Sequence, residues 1–221
     1  MAERELLRKN HRAFVKAAAD GSGIYEAIVS VFGNVDDGYD RVVAGAFAES
    51  IKADPHPPVV WSHMWNIPPI GETLEIAELA AGDPKLEGTG LEDLGGLWTH
   101  SRLFVGKAED HQVARQVYAG MKAEHQPVRE FSFAYEVMAS QWVTEDGVEI
   151  RELLQVGLFE HGPTLVGMNR ATQLLQVASN PLGTPPSPPG PAGPPPAGDT
   201  SKSILPERLV EVLTTPRRHG G

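Results

Sequence analysis

Polar and apolar residues alternate most cleanly over Arg129–Val137. Phe131, Phe133, Tyr135 and Val137 fall on one side of an extended chain, and Ser132, Ala134 and Glu136 on the other. Aromatic and β-branched residues on one face predict a half-buried strand with Ser132 on its opposite face. The same period predicts strands at Ile24–Phe32, Arg41–Val43, Val59–Trp65, Glu72–Leu79, Leu97–Phe104 and Glu152–Glu160. Trp142–Thr144 and Val148–Arg151 flank Glu145-Asp146-Gly147, a hairpin turn. Helical spacing appears over 3–19, from Gly45 to Ile51, and over Glu109–Glu124, where Ala114, Val113, Val117, Tyr118 and Met121 form a stripe. Asn169–Val177 reads as a short closing helix.

The pattern breaks at both ends. Residues 1–21 are a charged helical segment without the apolar core of a secretory signal. Residues 22–178 hold all the strand patterning and form the predicted domain. Residues 179–200 are dominated by Pro, Gly and Ser, and residues 201–221 contain one short amphipathic stretch, Ile204–Leu213. A Pro-rich segment of this kind cannot bury a core, so it is expected to be a disordered linker.

Composition narrows the chemistry. The chain of 221 residues has a net charge of -10, which argues against nucleic-acid phosphates and anionic membranes as partners. There is no apolar run long enough to span a bilayer. Absence of cysteine removes thiolate nucleophiles and cysteine zinc sites, and no metal or organic cofactor is expected. The acidic loop Gly33–Asp40 lacks the oxygen spacing and closing glutamate of a calcium-binding hand.

A serine hydroxyl is a weak nucleophile until a base takes its proton. Histidine suits that task near neutral pH, and a carboxylate behind it fixes its tautomer. His63, Ser132 and Glu160 supply the three types from separate predicted strands. Glu160 also ends the otherwise apolar face Leu154, Val156 and Leu158, where a carboxylate needs a partner. His56, His100, His111, His125 and His219 share no ligand spacing and are expected to be surface or structural. Trp61, Trp65 and Trp98 are expected in the core, and Glu136 is expected to be solvated on the Ser132 face.

Four stretches, in order, add more. They are Ser30-Val31-Phe32-Gly33-Asn34-Val35-Asp36 with Val42–Phe47; Val60-Trp61-Ser62-His63 with Pro69-Ile70-Gly71; Arg129–Tyr135; and Leu158–Thr172. Together they resemble the prohead proteases of tailed phages, the capsid-maturation serine proteases related in fold to the herpesvirus maturation protease. The resemblance implies a mainly β, barrel-like α+β domain. Carried over by position, it makes Ser132 the nucleophile, His63 the base and Glu160 the third member. His161 is the alternative third member, because the herpesvirus relatives use a second histidine there. Alternation puts Glu160 and His161 on opposite faces, so only one can serve. His161 and Gly162 stand where the family pattern has Val-Ser, and Ala134 where it has Gly.

The resemblance further implies a serine endopeptidase inside the assembling procapsid in the host cytoplasm. Its substrates would be the scaffold protein, or the scaffold-like segment of the major capsid protein, and it could act as a dimer or larger oligomer. The alternative is a silent family member serving as scaffold or assembly chaperone. The exposed composition of the tail also makes it a candidate for self-cleavage.

Overall fold

A computed structural model describes residues 22–177. The expected N-terminal helix, the Pro-rich linker and the C-terminal segment lie outside the described residues.

Seven strands and two α-helices make up the described fold, which is mainly β. Four strands form one antiparallel sheet in the order β3-β4-β1-β7: β1 (Ile24–Val31), β3 (Gly71–Leu79), β4 (Gly96–Leu103) and β7 (Gln173–Val177). The other sheet has the order β2-β6-β5, with β2 (Asp40–Val42), β5 (Glu130–Glu145) and β6 (Val148–Thr164). The shared core joins Tyr25, Ala27 and Val29 of β1 to Phe131 of β5 and Leu153 and Val156 of β6, with Phe47 between them. Phe133 and Tyr135 also pack against it, so the apolar side of the serine strand faces inward as its alternation predicts. Tyr25 stacks on Phe131 at 5.9 Å, and Phe47 meets Phe133 edge-on at 5.1 Å. α1 (Ala48–Ala53) lies against β6. α2 (Gln112–Lys122) buries Ala114, Val117, Tyr118 and Met121, and His111 Nδ1 accepts the Ala114 N–H at its N-terminus.

Residues 57–62 join the two sheets. Val59 bridges Gly71 at the start of β3 on one side and His161 of β6 on the other. Val60 N donates to His161 O (2.9 Å) and Ser62 N to Pro163 O (3.0 Å), so this segment runs alongside the end of β6. The end of β6 is therefore held between β5 and the 57–62 segment.

Several expectations need correction. The sheets do not close into a barrel. Where β5 approaches β7, a side chain replaces a ladder: Thr172 Oγ1 accepts Phe131 N–H (3.0 Å) and lies 3.1 Å from Phe131 O. The closing helix over Asn169–Val177 is instead a turn followed by β7. Asn169 Oδ1 accepts the Ala171 N–H in an Asx-type turn, and the exposed edge of β1 then recruits Gln173–Val177. That pairing outweighs local helix preference. β5 and β6 are also longer than the sequence suggests. They form one continuous ladder closed by Asp146 and Gly147, both at positive φ (51° and 78°), the geometry of a two-residue primed turn. β6 runs through Gly162 and Pro163 rather than ending at Glu160. The face Leu154-Val156-Leu158-Glu160 is not uniform either. An unpaired Leu154 shifts the register, so Leu153 is buried and Leu154 exposed.

Candidate active site

Ser132 sits on β5 opposite Gly162, and Ala134 sits opposite Glu160. Directly opposed residues of an antiparallel pair project to the same face. Ser132, Ala134 and Glu160 therefore share one face, while Phe131 and Phe133 anchor the strand from beneath. Gly162 has no side chain to crowd Ser132. A Cβ built on it would overlap the carbonyl oxygen of Val60, so glycine permits the 57–62 segment to lie this close.

His63 is not on a strand, contrary to the sequence expectation. Extended pairing stops after Val60, and the chain turns through Trp61, Ser62 and His63. Ser62 and His63 both have positive φ, 46° and 57°. This left-handed region costs about 1–2 kcal/mol per non-glycine residue. Surrounding bonds hold it: Ser62 N to Pro163 O, Met64 N to Trp61 O (2.9 Å) and Trp65 N to His63 O (3.0 Å). Ser62 Oγ also lies 3.1 Å from Thr164 Oγ1. The double left-handed turn swings the imidazole back over β5 and β6.

A second register shift aims Glu160. Tyr135 pairs with Leu158 and Ala134 with Glu160, so Phe159 is an extra residue in β6. Such bulges redirect side chains locally. Here Glu160 is 3% exposed, and Phe159 projects outward to meet Trp65 edge-on at 6.4 Å. Trp65 is 41% exposed, which corrects its expected core position; Trp98 is buried and Trp61 packs against the core.

The three residues meet in one chain of hydrogen bonds. His63 Nδ1 lies 2.5 Å from Glu160 Oε1, and His63 Nε2 lies 2.9 Å from Ser132 Oγ. An ionised carboxylate only accepts, so Nδ1 carries the proton and Nε2 is free to accept from the serine hydroxyl. Glu160 Oε2 is buried without a hydrogen-bond partner among the described residues. One oxygen of the carboxylate thus carries the whole interaction with the ring.

His161 points elsewhere. Its Nε2 lies 2.7 Å from Thr73 Oγ1, and the ring is fully buried. Burial lowers its pKa from 6.5 to about 3, so it is neutral near pH 7. The structure brings Glu160, not His161, to His63. Among the other histidines, His56 Nδ1 bonds Thr73 O and His111 caps α2. No group of three or more His, Cys, Asp or Glu among the described residues is placed to hold a metal ion, and no helix among them is long and apolar enough to cross a membrane.

A family model for the caudovirus prohead serine protease matches residues 11–181, well over half of the chain. The chain belongs to the caudovirus prohead serine protease family. No curated protein and no solved structure matches it. The prohead protease match spans every described strand and so includes all three residues of the hydrogen-bonded chain.

Three features of this site escape the sequence. The left-handed Ser62–His63 pair has no glycine to announce it. The Phe159 bulge is set by pairing with β5 rather than by local composition. Thr73 reaches the site only because β3 lies beside the 57–62 segment.

Proposed function

We propose that the chain is a serine endopeptidase of phage capsid maturation, with Ser132 as nucleophile, His63 as general base and Glu160 as the residue that orients it. The observation that carries this reading is the unbroken path Glu160 Oε1–His63–Ser132 Oγ at 2.5 and 2.9 Å. Ser132 Oγ attacks the scissile carbonyl while its proton passes to His63 Nε2. Glu160 stabilises the resulting imidazolium. The same proton then goes to the leaving amine, which departs, and water repeats the sequence to release the acyl group. No metal or organic cofactor enters these steps.

Family membership supports capsid proteins as the substrate class. In this reading the substrates are the scaffold protein or the scaffold-like segment of the major capsid protein, cleaved inside the procapsid. A relationship in fold to the herpesvirus maturation protease belongs to the same reading, and the mainly β architecture supports it.

The test is co-expression of the Ser132→Ala chain with the capsid and scaffold proteins. Cleavage should disappear, while the thermal midpoint stays near that of the wild type. Unchanged cleavage sinks the nucleophile assignment. An alkyl fluorophosphonate should label Ser132 in the wild type; a fully assembled preparation that cleaves nothing and takes no label would favour a scaffolding role.

A further inference from the structure

We propose that His161 is a positioning residue for the His63–Ser132 pair, clamping the Pro57–Val60 segment that delivers His63. This rests on the serine endopeptidase reading and assigns a role that the chemistry of the trio does not require. Pro57 and Pro58 have no N–H groups, so the backbone of these two residues can be tied down only through its carbonyls. The donors must come from outside it.

His161 organises both. Its backbone N donates to Pro58 O (3.3 Å). Its side chain acts through Thr73, whose hydroxyl donates to Pro57 O (2.5 Å). That hydroxyl has a single proton, already committed, so its contact with His161 Nε2 at 2.7 Å requires Nε2 to be the donor. His161 O then accepts Val60 N–H (2.9 Å). One residue thus ties down three positions, 57, 58 and 60, and His63 follows three residues later. All of this is shielded: Thr73 is 3% exposed and His161 is fully buried.

An apolar residue of similar volume would fill the space but could not donate to Thr73. Neighbouring Gly162 completes the joint by letting the Val60 carbonyl approach. The two backbone bonds would form with any residue at 161, so the part of the clamp that depends on histidine is the bond to Thr73.

The experiment compares full-length wild type with His161→Ala, His161→Gln and Thr73→Val. The first readout is the rate at which an alkyl fluorophosphonate labels Ser132. His161→Ala and Thr73→Val should each be slower by about tenfold or more, as expected when a reacting pair loses its alignment. His161→Gln keeps an N–H donor and should recover most of the rate. Because His161→Ala opens a buried space and could fail to fold, Thr73→Val, close to isosteric, then decides.

The second readout does not depend on activity: the proton NMR resonance of His63 Nδ1–H, held against Glu160. It should be sharp in the wild type and exchange-broadened in Thr73→Val. Wild-type labelling rates and an unchanged resonance in Thr73→Val would overturn the clamp. Failure of the wild type to be labelled would count against the enzymatic reading, and the resonance would still decide the clamp.

Discussion

The two ends of the β5–β6 hairpin share one ladder and have opposite surroundings. Near Ser132, β6 is flanked on both sides, by β5 and by the 57–62 segment, and Glu160 through Thr164 are all buried. Toward the Asp146-Gly147 turn, β6 still pairs with β5 on one side, but on the other it has only the short parallel strand β2 at Arg151–Leu153. Met138 and Trp142 are more than half exposed there. Ion pairs hold that end: Arg151 with Asp40 (2.6 Å), and Arg41 with Glu145 (2.5 Å) and Glu152 (3.1 Å). Of these side chains only Glu145 is more than half exposed; the Arg151–Asp40 and Arg41–Glu152 pairs are partly buried, so polar contacts at the rim stand where the near end has a shielded face. Strand pairing alone therefore does not make a site. In the proposed enzyme the reactive face lies where the ladder is supported on both edges and shielded from water, so that the three side chains would be held in place before substrate arrives.

The strongest way to break this contrast is to replace a carboxylate at each end. Glu160→Gln keeps the volume but removes the charge that stabilises an imidazolium on His63. Activity should fall by about 10³- to 10⁴-fold, by analogy with loss of the acid in other serine protease triads. Glu152→Gln at the far end should leave it within about twofold, because Glu152 pairs with Arg41 and makes no bond to the trio. Initial rates of capsid-protein cleavage measure both. Equal losses would mean that the near end has no special role.

Glycines at the two ends give a smaller, structural test. Gly162→Ala places a methyl group against the Val60 carbonyl, backbone against backbone, with no flexible side chain to yield. It should cost about 2–4 kcal/mol, in the range of severe overpacking, and slow cleavage as well. Gly147→Ala meets open space and suffers only from its positive φ of 78°. Its cost should be about 1–2 kcal/mol, with activity unchanged. Urea unfolding of the two variants, read alongside cleavage rate, would show whether the coupling of stability to activity is confined to the near end.

The contrast also shows what a linear sequence can reveal. Alternation over Arg129–Val137 was enough to place Ser132 on a strand with Phe131 and Phe133 beneath it, because period-two burial is a local property. The α2 stripe was legible for the same reason. Ordered motifs identified the family and nominated His63 and Glu160. Features that depend on long-range pairing were hidden. Leu153 and Leu154 exchange inside and outside because of a register shift. Asn169–Val177 becomes turn and strand because β1 has a free edge. His63 sits in a left-handed turn because Pro163 and Thr164 capture Ser62. Each outcome is set by a partner far away in the chain, so no local pattern encodes it.

Acid provides the smallest and most directional test, since each end holds a group whose pKa is shifted, in opposite senses: buried His161 and half-buried Asp36. His161, at the near end, has its pKa lowered to about 3 by burial, so the native state excludes a proton that the unfolded chain takes up below about 6.5. Its contribution to stability is complete above that pH and is lost as pH falls toward 3. The slope approaches about 1.4 kcal/mol per pH unit for one proton. Asp36 supports the Asp40 end, accepting the N–H groups of Gly38 and Asp40. Burial, with Asp40 and Asp37 nearby, raises its pKa to about 6. A raised acid works in reverse: its contribution is present below about 3.8 and is lost as pH rises through 6. Between those values the two slopes oppose each other, so the wild type alone will show a muted response. The informative quantity is the difference between wild type and His161→Gln. Urea-unfolding free energies at intervals from pH 7 to pH 4.5 should show wild type losing its advantage over the variant as pH falls. Asp36→Asn should shift the balance the other way, making the variant gain on wild type as pH rises. Parallel curves for wild type and His161→Gln would mean that the near-end histidine does not stay neutral in the native protein, and that its burial is less complete than the clamp requires.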